Sequence, residues 1–158
     1  MYAKDHVAPL GYEEFGFWRM IERNIDSGVV KITKRNYQEI VENRETEDEL
    51  AKWLRIRKGQ GVCVAPTKEV QAFVTKIGNY VYSNGQFLAR HRDRWSRGAD
   101  AWIIAQAYID AGTVVTREVS QPECRSPKIP DLCNHFDVKH ISLIELMKTL
   151  GKPHTAKK

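Results

Sequence analysis

"SRGADAWIIAQAYIDAG", residues 96–112, decides how the chain folds. From Ala101 to Ile109 it is apolar on nearly every side, the mark of a helix packed in the middle of a domain. Asp100 stands at its mouth, just behind Gly98 and Ala99. A carboxylate there is costly unless it caps the helix or faces a cation. Gly112 is placed to end the helix, and "TVVT" (113–116) follows directly as a short buried strand.

Outward from this pair the same alternation repeats. Phe17, Trp18, Ile21 and Ile25 share one helical face, and Gly28 is placed to end it. "VVKI" (29–32) reads as a strand, and Thr33 is placed to cap a second helix carrying Tyr37, Ile40 and Val41. "TEDE" (46–49) has the form of a capping box ahead of Leu50, Trp53 and Leu54. "GVCVAP" (61–66) reads as a strand stopped by proline. Thr67 opens a helix with Val70, Phe73, Val74 and Ile77 on one side. "VKHI" (138–141) reads as the last strand, and Ser142 with Glu145 forms a second capping box before Leu143, Leu146, Met147 and Leu150. Short apolar strands separated by helices predict an α/β fold around a mainly parallel sheet. Residues 1–14, 83–98 and 117–137 read as irregular, and 152–158 as a basic tail.

The chain has 158 residues, 42% hydrophobic and 28% charged, which predicts a single globular domain over 1–158. No run approaches the ~20 apolar residues of a membrane span and no signal peptide opens the chain, so no membrane partner and a cytoplasmic location are expected. Cys63, Cys124 and Cys133 lack framework spacing and read as reduced thiols. A net charge of +5 and a pI near 9.1 permit a polyanionic partner.

Ligand sites in parallel α/β folds gather at the carboxyl ends of the strands. Glu39, Asp100 and Glu118 fall at that edge, with the Thr116 hydroxyl at the tip of its strand. Converging carboxylates repel one another, and Mg²⁺ or Mn²⁺, which prefer hard oxygen ligands, remove that penalty. Each acid also has a plainer reading: Asp100 as a first-turn helix acid, Glu39 as solvated surface, Glu118 as a loop acid. In "ARHRDRWSRG" (89–98), Arg90, Arg92, Arg94 and Arg97 beside Trp95 suit a single-stranded RNA, guanidinium groups on phosphates and an indole on a base. The alternative is a solvated basic loop. Cys124, Cys133, His135 and His140 match no usual zinc spacing.

The ordered set "GFW", "YQEI", "DELAKWL", "ADAWIIAQA", "TVVTREV" and "KIPDLC" resembles the PIN-domain superfamily over about residues 12–150. The resemblance implies a three-layer α/β/α fold and a metal-dependent ribonuclease, often the toxin of a toxin–antitoxin pair. By it Glu39, Asp100 and Glu118 hold Mg²⁺ or Mn²⁺, with Thr116 beside them, and the partners are RNA and a small antitoxin protein; a homodimer is a further expectation, a second copy filling the gap in the sheet. The pattern departs from that family at the start. The first strand with its near-obligatory Asp is missing, and Asp5 in "AKDHVAP" does not match it. The alternative is therefore a non-catalytic PIN-like module, binding RNA or protein after loss of the first acid. A smaller sheet with "VVKI" beside "TVVT" is one expected outcome; another segment or chain filling the gap is the other.

Overall fold

A computed structural model describes residues 14–42, 49–57 and 63–150. The described chain is mixed α/β, mostly helical, with short parallel strands. The order is α1 (Glu14–Asp26), β1 (Ile32–Thr33), α2 (Lys34–Glu42), α3 (Glu49–Arg57), β2 (Cys63–Val64) and α4 (Lys68–Ser83). Then follow α5 (Ala89–Arg97), α6 (Asp100–Ile109), β3 (Thr113–Val115), α7 (Ile129–His135), β4 (Lys139–Ile141) and α8 (Leu143–Leu150).

Local chemistry explains most of the boundaries. Gly28 ends α1 at φ +73°, a conformation open to glycine at little steric cost. The Thr33 hydroxyl accepts from the Asn36 N–H at 3.2 Å, and Thr67 accepts from Val70 N–H at 3.3 Å, so both cap the helices that follow. Ser142 and Glu145 close their box in both directions: Glu145 N–H donates to the Ser142 hydroxyl, and Ser142 N–H to the Glu145 carboxylate at 2.8 Å. The "TEDE" box from Thr46 lies outside the described residues, as do the stretches 1–13 and 151–158; the side chains of Phe17, Trp18 and Leu50 are likewise undescribed.

Three expectations need correction. The stretch 83–98 is not irregular: residues 89–97 form α5, whose single buried side chain, Trp95, leaves almost no apolar period to read. Within 117–137, residues 129–135 form α7, short and opened by Pro130. The helix does not run to Gly112: α6 ends at Ile109 with Asp110 as its C-cap, and a left-handed residue follows. Ala111 takes that role at φ +50°, and Gly112 N–H donates to the Ala107 carbonyl at 2.8 Å.

The strands form two separate parallel pairs among the described residues. Ile32 pairs with Cys63 and Thr33 with Val64; Thr113, Val114 and Val115 pair with Lys139, His140 and Ile141. The "VVKI" strand therefore does not lie beside "TVVT". Both pairs pack on α6. β1 runs opposite to it: Lys31 pairs with Asp110 at the end of α6, whereas Arg35, just past β1, donates to the carbonyl of Arg97 just before its start. The turn at Ala111 sends β3 back along the same helix, parallel to β1. One buried cluster joins α4, α5, α6, β3, α7 and Val138, just before β4, around Ile77, Ile104 and Val114. A smaller one, Ile25, Tyr37 and Leu54, serves the β1–β2 pair. No helix among the described residues is long and apolar enough to cross a membrane.

Candidate functional site

The buried helix α6 fixes the centre of the site. Ala99 occupies its N-cap position without a side-chain hydrogen bond, and Asp100 is the first helical residue. The Asp100 carboxylate does not cap the helix and makes no hydrogen bond among the described residues. Burial pushes its carboxyl up to about 6, and the charges of Glu118 and then Glu39 push the same way, against the pull of Lys128. Three acids from three segments thus share one electrostatic neighbourhood.

Their settings differ. Glu39, exposed on α2, carries no hydrogen bond or ion pair among the described residues. Glu118 is held. One carboxylate oxygen accepts from the Ile129 N–H at 2.8 Å, and the other faces the Lys128 ammonium at 3.6 Å. Thr116 accepts from the Glu118 N–H at 3.1 Å, while its own N–H continues the ladder to the Ile141 carbonyl. Its hydroxyl therefore shapes the loop that presents Glu118. As placed, no group of three or more His, Cys, Asp or Glu side chains among the described residues forms a ready metal ligand set.

The basic stretch divides by helical geometry. Arg90, Arg94 and Arg97 follow one face of α5 and line a cavity of about 380 Å³ with Glu39 and Gly98. Arg92 points elsewhere: its Nη1 donates to the Tyr82 carbonyl at 2.6 Å and its guanidinium lies over the Tyr82 ring. Trp95 is only 8% exposed and belongs to the larger core cluster. In this arrangement its ring is not open for a base to stack on, which removes it from the expected contact surface. Arg92 and Trp95 read as part of the scaffold that presents the other three arginines.

Lys128 is the residue that sequence reasoning missed. It stands in "KIPDLC", inside the stretch 117–137 that reads as irregular in the sequence, where no local spacing ties it to Glu118. Zinc is no better served by the structure than by the spacing: the Cys133 thiol is buried and pushed up to about 12, His135 stacks on Tyr80, and His140 pairs with Asn134.

The family model described as a domain of unknown function, DUF4411, matches residues 12–152. The chain belongs to this family. No curated protein and no solved structure matches the chain. Family membership therefore covers α1 to α8, the acids and the arginine face, and carries no activity with it.

Proposed function

We propose that the chain is a PIN-like, metal-dependent endoribonuclease with a three-layer α/β/α arrangement, acting in the cytoplasm as the toxin of a toxin–antitoxin pair. The observation that carries the reading is the carboxyl of Asp100, raised by burial first and then by the charges of Glu118 and Glu39. Acids that repel one another in one neighbourhood suit a hard divalent cation by donor chemistry. Glu39, Asp100 and Glu118 would hold it. A bound Mg²⁺ or Mn²⁺ supplies Lewis-acid polarisation and offsets charge on the phosphate.

The chain's own groups do the rest. Arg90, Arg94 and Arg97 hold the phosphates of a single strand along α5. Asp100, raised by burial and by the charges of Glu118 and Glu39, is the acid whose charge a bound cation would relieve most. Lys128 and the Ile129 N–H hold Glu118 in place. The toxin role and a small antitoxin partner rest on the resemblance alone.

A second reading is favoured by a specific observation. Lys128 already answers the Glu118 charge, which is what a non-catalytic RNA-binding module that has lost its first acid would show. One experiment separates the two. End-labelled single-stranded RNA is incubated with the chain and Mn²⁺ or Mg²⁺, alongside EDTA controls and Asp100→Asn. The nuclease reading expects cleavage lost in both controls. RNA that is bound and left intact with either metal establishes the binding module instead.

A further inference from the structure

A second cavity, of about 400 Å³, adjoins the arginine face and differs from it in chemistry. Lys34, Arg35 and Gln38 line it from α2, Val64 from β2, and Trp102 and Gln106 from α6. Its volume falls in the range of small-molecule pockets, ~300–1,000 Å³. Arg35 forms a shared wall, donating to the Arg97 carbonyl at 3.0 Å, while Arg97 lines the neighbouring cavity.

Gln106 is the informative residue. It is 8% exposed, the one polar side chain within the apolar body of α6. Its Nε2 donates to the Asp110 carboxylate at 3.1 Å, and its Oε1 accepts no hydrogen bond among the described residues. The Gln106 amide thus lines the cavity with its oxygen free to accept, at a position where the apolar helix would otherwise place a leucine. Gln38, half-buried across the cavity, makes no side-chain hydrogen bond among the described residues either. Two amides with free hydrogen-bonding groups, a half-buried indole and two cations suit a planar heterocycle carrying N–H groups beside a phosphate.

We propose that this cavity takes one nucleobase of the bound RNA strand, its N–H edge on Gln106 and Gln38, its face on Trp102, and its phosphate at Lys34 and Arg35. The proposal rests on the reading of the α5 arginines as an RNA-binding face, and it makes the cavity the place where base preference is set. A strand whose phosphates follow Arg90, Arg94 and Arg97 would turn a base past the Arg35–Arg97 wall.

The test titrates the full chain with the four nucleoside 5′-monophosphates and with ribose 5-phosphate, followed by tryptophan fluorescence and by amide chemical shifts. At least one mononucleotide is expected to bind fivefold or more tightly than ribose 5-phosphate. Gln106→Met should erase that advantage and leave ribose 5-phosphate binding unchanged. Lys34→Ala should weaken both probes alike. Because Gln106 is buried, Gln38→Ala on the surface of α2 gives the same readout if the first variant fails to fold. Mononucleotides binding no better than ribose 5-phosphate overturn the proposal, as does a base advantage that survives both glutamine variants. Base binding is read without cleavage, and cleavage is read separately on the end-labelled RNA, so the two readings fail separately. Base binding without any metal-dependent cleavage removes the nuclease and keeps the cavity; cleavage without base binding does the reverse.

Discussion

At Asp100 the proton and the fold compete for one carboxylate, and on the proposed reading a metal ion would join them. Its ordinary value is 3.8 and its folded value about 6. Between those values the folded state keeps a proton that the unfolded chain has released, so stability falls as pH rises through that window. Without metal, Asp100→Asn should therefore melt higher than wild type above pH 6, with the difference shrinking to nothing below 3.8. A variant no more stable at pH 8 than at pH 3.5, relative to wild type, would place Asp100 in open water. Adding Mn²⁺ should reverse the order by raising wild type alone. The arginines make a separate prediction. Replacing Arg90, Arg94 and Arg97 with Ala should weaken single-stranded RNA binding and reduce the salt slope by roughly two, since each contact releases ~0.7 of a counterion. Arg92→Ala should leave that slope unchanged. Trp95→Ala should cost about 3–5 kcal/mol of stability, because it empties part of the core. Equal slopes for the triple variant and wild type would return α5 to solvated surface.

The ends of the elements carry their own consequences. Glu118 is tied to the start of α7 through the Ile129 N–H. Glu118→Ala should destabilise by about 1 kcal/mol through loss of that acceptor, and Glu118→Gln by less. In both variants the Asp100 carboxyl should fall toward its ordinary value, read by carbon-detected NMR titration; no movement would separate the two acids. Ala111→Gly should stabilise by ~0.5–1 kcal/mol, since alanine at φ +50° is strained and glycine is not. Denaturant midpoints measure this directly. Elements with an apolar period or a hydroxyl cap were legible in the sequence: α4 behind Thr67, α8 behind Ser142, and α6 by its apolar body. That Glu39, Asp100 and Glu118 lie within one another's electrostatic reach was legible from the edge where a helix, a helix start and a strand end were expected to meet. Helix α5 was not, because its single buried side chain gives no period, and neither was the division of its arginines, which only the helical phase reveals. The Lys128–Glu118 pair joins segments too far apart for local spacing to show.

Across the whole molecule, the two halves are unequal. The β3–β4 pair shares the larger core with α4, α5 and α6, whereas the β1–β2 pair rests on Ile25, Tyr37 and Leu54. Amide exchange should open β1, β2 and α2 well before α6 and β3, because opening free energy follows buried apolar contact. Uniform protection across both halves would show one cooperative unit. The split sheet bears as well on how quickly the chain finds its fold. Each strand pair joins residues only about thirty positions apart, while a ladder between β1 and β3 would close a loop of about eighty. Without that ladder, the most expensive closure need not precede strand pairing, and low mean sequence separation favours rapid folding. Each half can then nucleate alone, and their meeting on α6 becomes the late step. Ile104→Ala in that helix should accordingly speed unfolding more than it slows folding, a partition that stopped-flow chevrons read out directly.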